Sequence, residues 1–285
     1  MIAKQRGETM AVHVQTPAHA TEAVYYPETD GKPMAESDLH REIMFFMIHL
    51  LQRFFAGQPV YVSGNLLLYY EKGNPRKSVA PDCFVVFGVE PRRRRVYKLW
   101  EEGHGPEIVF EVSSHSTQRQ DVGKKMQLYA QLGVREYFIY DPTADYLNPP
   151  LVAFELVAGA YQLMQPAGSA ILNNLLPPLA DHRLPAYVSR VLGLLLTLDS
   201  EGRLQFYNLA TNQRLLTDEE ARLDTEVRLQ QAAQRVIQEV QRASQEARRA
   251  SYEAARASQE AQRATQAEVE NTRLKAELAK LRGEN

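Results

Sequence analysis

The 285-residue sequence holds a single cysteine, Cys83, and a single tryptophan, Trp100. One cysteine excludes a disulfide framework and any zinc site built from several thiolates. No apolar run reaches the length of a membrane span, about 20 residues, so no membrane association is expected. The opening residues lack the charged-then-apolar pattern of a secretory signal. A reducing cytoplasm is the expected compartment. Charge of one sign is lacking too. The 33 basic and 35 acidic residues leave a net charge of −2, which argues against a strongly basic coat for nucleic acid. A local basic groove would be hidden in that sum. There is no Gly-rich phosphate loop followed by lysine and no Gly-x-Ser-x-Gly elbow. From Asp218 to Arg282 there is no glycine or proline, and large apolar groups are few.

What is present is ordinary for a soluble globular protein: 44% hydrophobic and 24% charged residues. The length is enough to bury a real core without a covalent staple. Residues 1–34 carry Gly, Pro and Thr with little periodicity and read as a flexible N-terminal arm ending at the turn Asp30-Gly31-Lys32-Pro33. A helix follows. Ser37 can cap it, and Leu39, Ile43, Phe46, Met47, Leu50, Leu51 and Phe54 recur at helical spacing until Gly57 and Pro59. Strand-like runs occupy Val60 to Tyr70, interrupted at Gly64-Asn65, then Phe84 to Phe87 and Ile108 to Val112, with Arg92 to Trp100 extending a hairpin. Thr117 to Leu132 reads as an amphipathic helix with Val122, Met126, Tyr129 and Leu132 on one side. Tyr137 to Tyr140 is a further strand, residues 151 to 165 a hairpin turning at Gly159, and residues 191 to 215 further strands. Mixed α/β architecture over residues 35–217 is the expectation.

Residues 218–285 have a different character. Arg242 to Gln262 is three consecutive heptads of the form Arg-Ala-Ser-x-Glu-Ala-x. Ala243, Ala247, Ala250, Ala254, Ala257 and Ala261 form a 3-4 seam, continued in shifted phase by Leu274, Leu278 and Leu281. A sustained seven-residue repeat predicts a left-handed coiled coil and a homo-oligomer through this C-terminal helix. Alanine buries little area. A lone solvated helix held by Glu–Arg pairs fits the same pattern.

Two carboxylates stand out by context. Asp82 follows Pro81 and precedes the apolar run Phe84 to Phe87. Glu111 ends the run Ile108-Val109-Phe110. A carboxylate at the edge of an apolar strand is costly if buried unpaired. Two from neighbouring strands can hold a hard divalent cation with positions left for water and phosphate. Lys125, 14 residues beyond Glu111, could stabilise a crowded phosphate from the following helix. The bland alternatives are a turn cap for Asp82, an arginine partner for Glu111 and a solvated Lys125. Cys83 lies in an apolar context and reads as a small core residue. The run Arg92-Arg93-Arg94-Arg95, with Arg76, Lys77 and Arg119, is a candidate phosphate grip or a solvated turn.

At these positions the sequence resembles the Uma-two family of restriction endonucleases, within the PD-(D/E)XK nuclease superfamily. The resemblance is carried by Val79-Ala80-Pro81-Asp82, by Pro106 to Thr117 around Glu111, and by Asp121, Lys125 and Tyr129. Gly133-Val134-Arg135-Glu136-Tyr137-Phe138 and Asp141-Pro142 continue it, and it covers roughly residues 30 to 217. It implies a restriction-endonuclease-like mixed sheet flanked by helices, with a metal site at the sheet edge. It assigns Asp82 and Glu111 as metal-holding catalytic carboxylates for Mg²⁺ or Mn²⁺. The superfamily's usual lysine position, two residues after the acid, is Ser113 here. The family resemblance places the lysine on the next helix, at Lys125. Glu36 and His40, on the first helix, are the further catalytic candidates; their alternative is a helix start with a solvated histidine. Asp121 and Tyr129 read as supporting positions, with Asp121 four residues before Lys125 and able to pair with it. The implied activity is metal-dependent hydrolysis of DNA phosphodiester bonds. The competing expectation is a catalytically degenerate nuclease fold acting as a binding or scaffold protein through its coiled coil.

Overall fold

The computed structural model describes residues 24–29, 37–114, 117–168, 171–172, 184–281 and 283. Helix α1 (Asp38–Phe54) begins at Ser37, whose hydroxyl accepts the His40 N–H at 3.1 Å. That bond satisfies one of the donors a helix start leaves open. Met44, Met47, Ile48, Leu50 and Leu51 form its buried face. The order then runs β1 (Val60–Ser63), β2 (Leu68–Tyr69), β3 (Ser78–Val79), β4 (Cys83–Phe87), β5 (Tyr97–Lys98), α2 (Leu99–Glu102) and β6 (Ile108–Val112). A helical crossover follows: α3 (Gln118–Gln120), a π-helical turn (Asp121–Lys125) and α4 (Met126–Gln131). The chain continues through β7 (Glu136–Tyr140), β8 (Leu151–Val157), β9 (Ala160–Leu163), β10 (Ala186–Ser189), β11 (Leu194–Leu198) and β12 (Leu204–Asn208), then α5 (Asp218–Leu281).

The expected mixed α/β fold is present. Six strands form the central sheet in the order β1-β4-β6-β7-β8-β9. Only β6 and β7 are parallel, which is why they need a crossover helix rather than a tight turn. Both are buried along their whole length, as strands covered on two faces must be. On one face Phe110, Val112 and Phe138 pack with α1 and with Phe206 and Leu196 of the sheet β10-β11-β12. On the other, Val109, Tyr137 and Ile139 pack with Tyr129 of α4 and with Leu68 and Tyr97 of the sheet β3-β2-β5. The alternation of side chains along β6 therefore sends Glu111 to the α4 face, between Phe110 and Val112, which point the other way. The hairpin β8–β9 turns at Ala158-Gly159, both at positive φ (50° and 82°), as a two-residue hairpin turn requires.

Several local expectations are revised. Val60 to Tyr70 divides at Gly64-Asn65 into two strands of different sheets. Arg92 to Trp100 contributes only Tyr97–Lys98, and the chain turns into α2 at Leu99. Of the arm, the described residues 24–29 are docked. The Tyr69 hydroxyl donates to the Pro27 carbonyl at 2.5 Å, and Tyr26 meets the Tyr69 and Trp100 rings with centroids 5.0 and 5.2 Å away. A buried carboxylate, Glu136, ties the central sheet to the third one. It accepts from the Ser189 hydroxyl and from the Arg190 and Val191 amides at 3.1 and 3.3 Å.

The chain divides into two units at Thr217/Asp218. The second is helical: α5 runs 64 residues with no buried side chain, about 96 Å at 1.5 Å per residue. Arg249–Glu253 and Arg256–Glu260 pair along it at 3.1 Å. Among the described residues no helix is long and apolar enough to cross a membrane.

One glycine fixes where Asp82 stands. A Cβ on Gly64 would lie 1.9 Å from the Asp82 carbonyl oxygen and 2.7 Å from Ile48 Cδ1. The neighbouring Asn65 amide donates to Pro81 O at 2.8 Å, so the loop after β1 clasps the Pro81-Asp82 backbone. Gly64→Ala is expected to lower unfolding free energy by about 1–3 kcal/mol, the usual cost of overpacking. Urea denaturation reads this as a lower midpoint at unchanged slope; an unchanged midpoint would show that the clasp is loose.

Candidate active site

Asp82 and Glu111 meet through strand register. Cys83 pairs with Phe110 across antiparallel β4 and β6, so Asp82, one residue before Cys83, comes opposite Glu111, one residue after Phe110. Both are buried, Glu111 to 1% exposure. Asp82 Oδ2 accepts the Val112 amide at 2.7 Å, and Oδ1 lies 3.2 Å from His40 Nε2. The Pro81-Asp82 turn places the carboxylate at the mouth of the sheet, and the Val112 N–H beside the end of β6 fixes its angle.

The crossover helix completes the group. Lys125 Nζ donates to Glu111 Oε2 at 2.8 Å and lies 3.0 Å from Asp121 Oδ1. The Tyr129 hydroxyl donates to Glu111 Oε1 at 2.5 Å, and the Tyr137 hydroxyl donates to the Asp121 backbone carbonyl at 3.0 Å. Lys125 thus turns toward Glu111 and not to the far side of its helix. Ser113, two residues after Glu111, is itself buried, and its amide donates to Tyr140 O at 2.7 Å.

The π turn decides which residues of the crossover face inward. An α-helix from Thr117 to Leu132 would bury Val122. Instead Val122 is 49% exposed and Asp121 is completely buried. One extra residue per turn rotates the helix face at that point, and such bulges are frequent at functional sites. Gly123, with open space around its α-carbon, lies in the middle of the turn.

The electrostatics follow from three carboxylates sharing few cations. Burial would raise the Asp82 pKa, but the His40 contact, the Lys125 charge and the Val112 amide outweigh it and hold the carboxyl below its ordinary value. Burial raises the Glu111 pKa well above its ordinary value, against the pull of Lys125 and with the push of Asp82 and Asp121. Burial raises Asp121 as well, only partly opposed by Lys125. Burial disfavours the Lys125 ammonium, yet Glu111, Asp121 and Asp82 together more than compensate, so it keeps its charge. The Tyr129 hydroxyl is pushed far up by burial and by Glu111 and stays a donor.

Three acids, Asp82, Glu111 and Asp121, thus gather around Lys125 and His40, and a hard cation would favour the ionised form of those whose pKa burial raises. The oxygen donors of Asp82 and Glu111 suit Mg²⁺ or Mn²⁺. Among the described residues no group of three or more His, Cys, Asp or Glu is arranged to hold a metal ion. A cation there would rest on two carboxylates and keep several waters, as Mg²⁺ commonly does.

Of the residues singled out in the sequence, Asp82, Glu111, Lys125 and His40 come together. His40 is buried, not solvated, and takes the inward position expected of Leu39, which is 43% exposed. Glu36 lies outside the described residues. Of the arginine run, Arg92, Arg93 and Arg95 are exposed and Arg94 is turned inward. Arg94 is a structural residue, its guanidinium bidentate on Glu102 at 2.7 Å and 4.2 Å from the Tyr61 ring centroid. Arg92 shares Glu102, and Arg95 pairs with Glu28. The π turn and the Glu102 partnership had no counterpart in the sequence reading; Gly123 inside a helical pattern is the one local sign of the former.

The low pKa of Asp82 has a sign that can be checked. A carboxyl held low in the folded chain binds its proton more tightly when unfolded. It therefore adds stability that is full well above the ordinary 3.8 and is lost as the pH falls below that value. Asp82→Asn should be less stable than the parent at about pH 6, with the gap closing toward about pH 3. Urea midpoints of the two proteins measure this; a gap independent of pH would mean that Asp82 is not held low.

No curated protein matches the chain. One similar solved structure is a crystal structure at 1.96 Å of a "putative nuclease belonging to DUF820" from Anabaena variabilis ATCC 29413. It is 14% identical, covers 50% of this chain and 77% of that one, and has a TM-score of 0.36. The profile of the Uma2 family, described as "Putative restriction endonuclease", matches residues 14–185. That span contains Asp82, Glu111, Asp121, Lys125 and Tyr129, and with most of the central sheet inside it, the chain belongs to the Uma2 family.

Proposed function

We propose that the protein is a Mg²⁺-dependent endonuclease, also served by Mn²⁺, that hydrolyses DNA phosphodiester bonds. The observation that carries this reading is the half-buried ammonium of Lys125 held 2.8 Å from the buried Glu111, with Asp82 opposite in the next strand. A bound hard cation would lower the pKa of a water and neutralise charge on the phosphate. The chain's own residues do the rest. Asp82, fixed by the Val112 amide and His40, and Glu111, fixed by Tyr129, present carboxylate oxygens from two adjoining strands. Lys125 offers its ammonium N–H groups to the phosphate oxygen that gains charge as the attacking water adds. His40 keeps Asp82 ionised and oriented from α1. Arg119 and Lys124, exposed on the same crossover, and Arg76 and Lys77, exposed in the β2–β3 turn, supply sequence-independent phosphate contacts. The protein would work in the reducing cytoplasm, where its single cysteine, Cys83, stays a thiol.

We further propose that α5 joins copies of the chain through its alanine seam. Its Arg and Glu side chains pair along the helix, leaving the Ala243-to-Ala261 stripe free to approach a second copy closely.

Purified protein incubated with supercoiled and linear DNA in Mg²⁺ or Mn²⁺ is expected to cleave it. Asp82→Ala, Glu111→Ala and Lys125→Ala should each lower the rate by about 10²–10³-fold or more, as loss of a charge-stabilising group does. Equal background in parent and variants would favour a scaffold on a degenerate nuclease fold. Ending the chain at Thr217 is expected to reduce the number of chains per particle seen by light scattering while leaving the core folded; an unchanged number would refute association through α5.

A further inference from the structure

Asp121 has no direct part in the chemistry just described. Its side chain is completely buried, and Thr117 lies close enough to favour its charged form. Even so, neither carboxylate oxygen has a hydrogen bond of ordinary geometry. Its ion-pair contact is Lys125 Nζ at 3.0 Å. A buried carboxylate so poorly satisfied is costly, and native chains retain few. The fold also goes out of its way to put it there: the π turn turns Asp121 inward and Val122 outward.

The position of Lys125 gives this a purpose. Its ammonium sits between two carboxylates, Glu111 at 2.8 Å and Asp121 at 3.0 Å. A divalent cation on Glu111 would compete for the oxygen that Lys125 holds and would repel the ammonium. With Glu111 as its sole anchor, Lys125 would swing to solvent at the moment it is needed. Asp121 meets Lys125 Nζ at 3.0 Å independently of the Glu111 contact, so it stays available to the lysine. We propose that Asp121 is a positioning residue that retains Lys125 at the reacting phosphate when a divalent cation takes the Glu111 carboxylate. This rests on the nuclease reading of the site. It makes the lysine's attachment a handover: Glu111 and Asp121 hold it in the empty pocket, and Asp121 alone in the loaded one.

The test uses the full chain, with Asp121→Asn and Asp121→Ala, and Mn²⁺ as the probe. The alanine variant removes an unsatisfied buried group and so guards against misfolding of the amide. Labelling of Lys125 by an amine-reactive reagent, followed by mass spectrometry, reads whether the ammonium leaves the pocket. In the parent, Mn²⁺ should change the labelling rate less than about twofold. In both variants it should accelerate labelling about tenfold or more, the scale of one lost charge-assisted contact. Mn²⁺ affinity, followed by electron paramagnetic resonance, should stay within about threefold, since a positioning residue is not a ligand. On DNA, kcat should fall about 10- to 100-fold with KM nearly unchanged, as displacement of a positioned group does. Variants that label like the parent with Mn²⁺ bound would overturn the proposal, as would a drop in Mn²⁺ affinity of about tenfold or more, which would make Asp121 a ligand. If the labelling pattern holds while the parent cleaves no DNA, the nuclease reading fails and the positioning role stands.

Discussion

A carboxylate placed inside an apolar sheet has to be compensated, and Glu111 sits at 1% exposure between Phe110 and Val112. The rest of the site is arranged around that burden. Lys125 and Tyr129 each engage one of its oxygens, and both come from the crossover that the parallel pair β6 and β7 makes necessary. Removing one partner of a buried ion pair typically costs about 3–5 kcal/mol, because the remaining charge is stranded. Sheet topology and charge compensation thus require the same helix in the same place.

The second carboxylate is held by backbone rather than by charge. Gly64 lets the loop after β1 press against the Asp82 carbonyl, and Asn65 holds Pro81. Val112, one residue past Glu111, donates its amide to Asp82. The two acids therefore cannot drift apart without breaking the β4–β6 pairing. His40 adds a contact from α1 on the opposite layer, so residues from both sides of the central sheet converge at one edge. Three acids meet there around one lysine and one histidine, and the proposed divalent cation would join that group.

Much of this was legible in the sequence where local chemistry decides. Ser37 with its helical apolar spacing marked α1, and Ala158-Gly159 marked the β8–β9 turn. Pro81-Asp82 and the acid ending Ile108-Val109-Phe110 marked the two carboxylates. What was not legible depends on distant partners. Leu39 and His40 are neighbours on one helix, and only the location of Asp82 makes the histidine the buried one. Among four consecutive arginines, only the place of Glu102, on a four-residue helix, sets Arg94 apart as the one whose guanidinium is enclosed, while Arg92 and Arg95 stay exposed. The π turn leaves no pattern in a window of apolar residues, since it changes the period for five residues only. It is nevertheless what exchanges Val122 for Asp121 in the interior.

The alanine-rich α5 contributes no buried residue of its own, and the near-neutral total charge averages it with a core that buries Asp82, Glu111 and Asp121 beside strands β4 and β6. Whether Asp82 and Glu111 take a cation decides the proposed activity. Anomalous diffraction from crystals of the full chain soaked in Mn²⁺ measures this directly. One strong peak is expected within about 2.1–2.4 Å of carboxylate oxygens from both Asp82 and Glu111, the range for hard-cation oxygen ligands. No peak between those carboxylates, with Lys125 still paired to Glu111 at saturating Mn²⁺, would contradict the proposal.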